Sequence, residues 1–124
     1  GKRMLSSMTP TIIARDGRVK MVVGSPGGST IITTVLQVII NVTDFGMSVS
    51  EAVNAGRFHH QWLPDRVDYE AERIDSTVFT GMKAMGYTIT PRESIGRSDA
   101  VLISGDGLLE AGSDTRGDDS AAGF

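Results

Sequence analysis

The sequence predicts an α+β fold, in which β-hairpins and helices build a layered sheet protein. Two Asp-Gly pairs, Asp16–Gly17 and Asp106–Gly107, each separate two apolar runs, and this pattern is a strong hairpin signal. Between them lies Ile31–Phe45, whose apolar residues occupy most sides of a helix. A helix of this composition is expected to be largely buried.

The first half of the chain contains two predicted strands and two predicted helices. The strands Thr11–Ala14 and Val19–Val23 flank the first Asp-Gly pair. Gly46 is placed to follow the long helix as its C′ residue. Ser48–Glu51 matches a capping box, which predicts a short helix that ends at about Ala55.

The second half is predicted to form a strand, a helix and three further strands. Residues 58–65 are interpreted as irregular. Asp75 is suited to cap a helix that runs to Met85 and ends at Gly86. The four predicted strands are Arg66–Glu70, Tyr87–Thr90, Ala100–Ser104 and Leu108–Ala111.

Composition narrows the classes of function. The 124 residues fit one domain or a piece of one, and 40% are hydrophobic, which is enough for a core. A net charge of −3 argues against nucleic acid as a partner, since phosphate contacts need clustered Lys and Arg. Without cysteine there are no disulfides and no Cys-based zinc site. The longest apolar stretch, Ile31–Val42, is too short and too polar to insert into a membrane.

The most informative local feature is the Gly-rich segment Gly24–Thr30, between a predicted strand and the long helix. Gly27 and Gly28 have no Cβ, so a ligand can approach their backbone N–H groups closely. A helix N-terminus adds unpaired donors and a positive dipole end. The segment is therefore suited to an anion or a developing oxyanion. It lacks the lysine of a phosphate-binding P-loop, and the alternative is a tight turn capped by Ser29 or Thr30.

Other polar groups carry weaker signals. Ser6 and Ser7 offer two adjacent hydroxyls, which can bind a carboxylate or belong to a polar surface loop. The only histidines, His59 and His60, stand in an apolar neighbourhood without a His-Glu-x-x-His metal motif, so we interpret them as structural. Arg116–Asp118 matches a cell-adhesion tripeptide, but three residues recur by chance, and a structural role is expected.

Four segments in register resemble the γ-glutamyltranspeptidase family, and together they span essentially the whole chain. The segments are Leu5–Ile12, Val22–Ser29, Arg57–Pro64 and Ala111–Asp119. The resemblance implies a precursor that cuts itself into a large and a small subunit, and a four-layer αββα sandwich of the N-terminal nucleophile hydrolase type. It implies a threonine nucleophile, no cofactor and no metal. The reaction implied is transfer of a γ-glutamyl group from glutathione or a related amide to water, an amino acid or a peptide.

The resemblance also assigns residues. Ser6 and Ser7 would bind the α-carboxylate of the γ-glutamyl group, and Gly27 and Gly28 would supply the oxyanion-hole N–H groups. The family's nucleophile lies in a Thr-Thr-His segment upstream, whereas Thr33–Thr34 stands inside a predicted helix.

Residues 1–124 are therefore expected to be the C-terminal part of the small subunit, a single partial domain that is inactive alone. Its expected partners are the large subunit and the remainder of the small subunit, in the periplasm or outside the cell. Two alternatives stay open. One is a non-catalytic structural fragment or homologue, and the other is a related acylase acting on β-lactam side chains or poly-γ-glutamate.

Overall fold

The computed structural model describes residues 1–2 and 9–123. The chain divides into two compact units. The first unit comprises Gly1–Asn54 and Gly96–Phe124, and the second comprises Ala55–Ile95. The strands are β1 (Thr11–Arg15), β2 (Arg18–Gly24), β3 (Phe58–His59), β4 (Val67–Glu70), β5 (Ile89–Arg92), β6 (Asp99–Ile103) and β7 (Leu109–Gly112), and the helices are α1 (Ile31–Thr43), α2 (Val49–Asn54) and α3 (Thr80–Ala84).

The first unit contains a four-stranded antiparallel sheet in the order β1-β2-β6-β7. Both predicted hairpins are confirmed. Asp16 and Gly17 have φ angles of 53° and 72°, the positive values that a type I′ hairpin turn requires at both central positions. At the second hairpin Gly107 supplies a φ of 88°.

Helices α1 and α2 pack with the sheet around the core of the first unit. Along β2, Met21 and Val23 are buried while Val22 between them is exposed, which is the alternation of a strand with one covered face. The core consists of Met21, Val23, Ile31, Val35, Val38, Val49, Ala52, Val53 and Ala100.

The prediction that the long helix is largely buried was wrong for one of its faces. Ile32 is 70% exposed and Leu36 is 51% exposed, although Val35 and Val38 are buried. The apolar composition of α1 is therefore greater than the core of this unit requires. The helix also ends at Thr43, earlier than predicted, and Gly46 follows with a φ of 67°.

The predicted capping box at the start of α2 is confirmed. The Ser48 backbone N–H donates to Glu51 Oε2 (2.9 Å), and the Glu51 N–H donates to Ser48 Oγ (3.3 Å). The Ser48 hydroxyl also donates to Glu51 Oε2 (2.7 Å). These bonds satisfy donors that the first turn of a helix otherwise leaves unpaired.

The second unit contains a three-stranded sheet in the order β3-β4-β5. Strand β3 pairs antiparallel with β4, within the segment predicted to be irregular, so that prediction was wrong at Phe58 and His59. Two residues are too few to show an alternating pattern. Strand β5 pairs parallel with β4 and includes Pro91, which an edge strand tolerates.

The connection from β4 to β5 carries the helix that Asp75 was predicted to cap. Asp75 Oδ1 accepts from the Thr77 N–H (2.8 Å), and a 3₁₀ turn over Ser76–Phe79 leads into α3. Phe79 packs on Tyr69 with ring centroids 4.8 Å apart, in a small core that also includes Val67. The helix is shorter than predicted because its first turn is 3₁₀.

A buried carboxylate, Glu70, connects the two ends of the second unit. Glu70 is fully buried and accepts from two backbone N–H groups, those of Arg57 (2.9 Å) and Ile95 (2.8 Å). The buried Arg57 guanidinium donates through Nη1 to the Ile95 carbonyl (3.0 Å). Glu70 thus joins the first and last parts of the second unit.

A second buried carboxylate, Asp114, ties the first unit together. Asp114 Oδ2 accepts from the Ser98 N–H (2.8 Å). Its Oδ1 accepts from Arg116 through the backbone N–H (2.9 Å) and through Nη1 (3.0 Å). The same Nη1 donates to the Val53 carbonyl in α2 (3.1 Å). Both side chains are buried, at 2% exposure for Arg116 and 0% for Asp114. The structural role predicted for the tripeptide Arg116–Asp118 agrees with these contacts.

We expect Asp114→Asn to destabilise the protein by about 3–5 kcal/mol, because it removes the negative charge that lies 3.0 Å from the buried Arg116 guanidinium. Thermal unfolding of the full-length protein that contains this chain measures the effect. The matched control is Asp118→Asn, the same change at a carboxylate that is 98% exposed. Equal unfolding temperatures for the two variants would contradict the prediction.

The capping box predicts a pH dependence at α2. Hydrogen bonds from the Ser48 hydroxyl, and then from the Ser48 backbone N–H, lower the pKa of Glu51 from its ordinary value of 4.5. The cap therefore stabilises the helix above that ordinary pKa, and its contribution is lost as the pH falls through the lowered pKa. Ser48→Ala should raise the pKa of Glu51 toward 4.5 in a carboxylate NMR titration. Ser50→Ala, at the neighbouring serine, should leave it unchanged.

Candidate functional site

The Gly-rich segment forms the predicted junction between a strand and a helix. Strand β2 ends at Gly24, and a 3₁₀ turn over Gly28–Thr30 runs directly into α1. Gly27 caps the 3₁₀ turn with a φ of 139°, and Gly28 follows with a φ of 61°. Both values lie in a region that residues with a Cβ rarely adopt, so the turn depends on this glycine pair.

The two glycines differ in the space around them. A Cβ on Gly27 would lie 2.7 Å from Thr30 Oγ1 and 3.4 Å from Gly96 Cα, so a side chain there would force its neighbours apart. A Cβ on Gly28 would meet no atom within 4 Å in the described part of the chain. Gly27 is thus packed closely against its neighbours, whereas among the described residues nothing contacts the position that a Cβ on Gly28 would take.

Thr30 does not cap the helix in the way the alternative interpretation of this segment supposed. Its hydroxyl donates backwards to the Gly27 carbonyl (2.9 Å), and its backbone N–H reaches the same oxygen (3.3 Å). As the N-cap residue of α1, Thr30 makes no side-chain capping bond to that helix. The Thr30 side chain therefore shapes the turn itself.

A neighbouring stretch, Gly96–Ser98, extends the pairing of β2 with β6 beyond the sheet, and we call it the brace. The last paired residues of the two strands are Gly24 and Asp99. Next to them the Ser98 hydroxyl donates to the Gly24 carbonyl (3.0 Å), and the Arg97 N–H donates to Ser25 Oγ (3.3 Å). The Ser98 backbone N–H donates to Asp114, and this bond fixes the position of the brace.

Sequence reasoning missed the brace and Asp114 as parts of this site. Asp114 stands in the segment Ala111–Asp119, where the family resemblance assigns no site residue. Its partner Ser98 lies in a stretch with no distinctive motif. A serine just before a strand does not indicate that its hydroxyl binds the Gly24 carbonyl, which lies 74 residues earlier in the chain.

A surface depression of about 250 Å³ lies beside the turn, lined by Thr9, Pro10, Gly24, Ser25, Pro26 and Asp99. Its lining is mostly apolar and consists of short side chains and backbone. Ser6 and Ser7, the predicted carboxylate-binding residues, lie outside the described residues. Their role stays a prediction.

The two histidines have local partners within the second unit. His59 is buried and its Nε2 lies 2.9 Å from Gln61 Oε1, while His60 Nε2 lies 3.1 Å from Asp65 Oδ1. These contacts agree with the structural interpretation of the pair. Across residues 1–2 and 9–123, no three His, Asp or Glu side chains come together as metal ligands would.

The described helices include none with the length and apolar character needed to cross a bilayer. This finding concerns residues 1–2 and 9–123, whose longest helix is α1 with 13 residues.

Known relatives match the chain along its whole length. The family model described as Gamma-glutamyltranspeptidase covers residues 1–124. A glutathione hydrolase proenzyme of Escherichia coli is 47% identical over 124 residues, covering 99% of this chain and 21% of the relative. The proenzyme of Pseudomonas aeruginosa is 47% identical over 120 residues, covering 94% and 21%. The chain thus spans about one fifth of the length of these curated relatives.

Solved structures of the family share the fold. The γ-glutamyltranspeptidase of Pseudomonas nitroreducens, complexed with L-DON, superposes with a TM-score of 0.88 at 44% identity, covering 100% of this chain and 65% of that one. A point mutant of the Helicobacter pylori enzyme gives a TM-score of 0.84 at 48% identity, covering 94% and 64%. The α+β fold class is confirmed by these matches. The chain belongs to the γ-glutamyltranspeptidase family, the family of the glutathione hydrolases.

Proposed function

We propose that residues 1–124 are the C-terminal part of the small subunit of a γ-glutamyltranspeptidase. The complete protein would cleave glutathione and related γ-glutamyl amides, and pass the γ-glutamyl group to water, amino acids or peptides. The observation that carries the proposal is the Gly27–Gly28 turn, held in positive-φ conformations where β2 meets a helix. The match of the family model to residues 1–124 supports it.

The turn has the chemistry that acyl transfer requires. When a nucleophile attacks the amide carbonyl, negative charge develops on the carbonyl oxygen and must be stabilised. Fixed backbone N–H donors, here those of Gly27 and Gly28, stabilise that charge by about 2.7–4 kcal/mol each. The amine then leaves with a proton, and water or an acceptor amine attacks the acyl-enzyme.

The nucleophile itself is expected upstream of this chain. Thr33 and Thr34 lie inside α1, where their backbone nitrogens belong to a helix and cannot be a free N-terminal amine. Thr34 is also fully buried. We therefore propose that this chain supplies the oxyanion hole and part of the donor site, and that it is inactive alone.

Ser6 and Ser7 are proposed to bind the α-carboxylate of the γ-glutamyl group. Two hydroxyl donors to one carboxylate form charge-assisted hydrogen bonds, which are stronger than neutral ones. Thr9 and Pro10, which follow the serine pair in the sequence, line the depression beside the turn.

The remainder of the precursor is the proposed partner. Ile32 and Leu36 expose apolar surface along α1, and Ile12 on β1 is 65% exposed. Large exposed apolar surface typically marks an interface. We propose that the large subunit and the rest of the small subunit cover such faces in a four-layer αββα sandwich, and that the complete protein acts in the periplasm or outside the cell without a cofactor or metal.

The first test is release of the anilide from a γ-glutamyl anilide by the full-length, matured protein. We expect turnover, and a large loss of it when Ser6→Ala and Ser7→Ala are combined, because the donor carboxylate loses both hydroxyls. Ser120→Ala, a serine near the end of the chain, is the control. No turnover by the matured protein would favour the non-catalytic or acylase alternatives. Full activity of the double variant would contradict the carboxylate-binding role of Ser6 and Ser7 and favour the polar surface loop.

Gly27→Ala should lower kcat by about 10²–10³-fold, the cost of losing an oxyanion-hole donor. The added methyl would clash with Thr30 Oγ1 and turn the peptide away. The control is Gly105→Ala, since that glycine lies in a hairpin loop where a Cβ meets no described atom within 4 Å. Steady-state kinetics on the γ-glutamyl anilide measures both variants. If Gly27→Ala kept the wild-type kcat, the proposal that the Gly27 N–H belongs to the oxyanion hole would be contradicted.

A further inference from the structure

We propose that Ser25 and Thr30 are positioning residues, whose hydroxyls fix the two peptide planes that carry the Gly27 and Gly28 N–H groups. This inference rests on the proposed function, in which those N–H groups form the oxyanion hole. Neither hydroxyl needs to touch the substrate, because each binds the opposite edge of a peptide plane.

Ser25 fixes the first plane. Its Oγ donates to the Pro26 carbonyl (2.6 Å), and that carbonyl belongs to the same peptide unit as the Gly27 N–H. The only cis peptide among the described residues is Leu63–Pro64, so the Pro26–Gly27 peptide is trans. In a trans peptide the C=O and N–H point in opposite directions. A bond that holds the carbonyl therefore sets the direction of the N–H.

Ser25 is itself held in place. It is 5% exposed, and its Oγ accepts from the Arg97 N–H in the brace (3.3 Å) while donating to Pro26. With the Arg97 donor on one side, the hydroxyl proton points to the Pro26 carbonyl. One of the contacts between the brace and the turn thus runs through this buried hydroxyl.

Thr30 fixes the second plane in the same way. Its Oγ1 and its backbone N–H both donate to the Gly27 carbonyl, at 2.9 Å and 3.3 Å. That carbonyl shares its peptide unit with the Gly28 N–H. Thr30 is 4% exposed, so little water competes for the bond.

Such supports matter because the glycines do not fix their own geometry. Glycine adopts positive φ readily but restrains it weakly, since it has no Cβ. Oxyanion stabilisation depends on donors that are oriented before the charge develops. A hydrogen bond to the carbonyl also polarises its peptide, and such coupling strengthens the bond that the N–H of the same peptide donates by roughly 10–30%.

The test uses the full-length, matured protein with a γ-glutamyl anilide. In Ser25→Ala and in the isosteric Thr30→Val, we expect kcat to fall about tenfold while KM changes less than about twofold, because the lost effect acts on the transition state. Thr30→Ser keeps the hydroxyl and should keep kcat. The control is Thr43→Val, which removes a similar hydroxyl bond to the Ile39 carbonyl (2.9 Å) at the far end of α1.

A second measurement separates this inference from the proposed function. In protein labelled with ¹⁵N-glycine, Ser25→Ala should shift the Gly27 amide resonance, and Thr30→Val that of Gly28, beyond any shift in Thr43→Val. Unmoved amide resonances, or a kcat that is equal in Thr30→Val and Thr30→Ser, would overturn the inference. If the amide resonances shift but the wild-type protein shows no turnover, the inference that the hydroxyls fix the peptide planes would stand, and the proposed enzymatic function would be contradicted. If Ser25→Ala fails to mature, the isosteric Thr30 pair decides.

Discussion

The carboxylate of Asp114 is the constraint on which the first unit depends. A fully buried charge is stable only when its desolvation is offset by complete hydrogen bonding and a counter-charge. Asp114 obtains both from Ser98 and Arg116, and Arg116 is held in turn by the Val53 carbonyl. The brace, the end of α2 and the last part of the chain are therefore fixed relative to one another. Through Ser98 and Gly24 the constraint reaches the Gly-rich turn.

The second unit uses the same device independently. Glu70 binds the backbone N–H groups of Arg57 and Ile95, which lie near the two ends of that unit. In both units a buried acid joins segments that are far apart in sequence, and a buried arginine completes the arrangement. Two of the four family segments, which contain Arg57 and Arg116, thus have a structural explanation. The chemistry proposed for the chain lies in the other two.

Local rules predicted most of the elements, because their causes are local. The Asp16–Gly17 turn, the Ser48–Glu51 capping box and the Asp75 cap each depend on residues within a few positions of one another. The glycine pair likewise indicated a strand-to-helix junction with accessible backbone N–H groups, and the junction is present. What the sequence left open depends on distant partners: the two-residue strand β3, the parallel pairing of β4 with β5, and the brace. The exposed face of α1 was missed because apolar composition does not say how much core a unit provides.

The brace also sets an order of events during synthesis. Ser98 follows Gly24 by 74 residues, and Asp114 follows later still. At about 5–20 residues per second, roughly 4–15 s pass between translation of the turn and translation of the residue that holds it. A ribosome-bound chain therefore presents the glycine pair well before its support exists. The contacts that join the turn to Ser98 and Asp114 can therefore form only after both of these later residues have been translated.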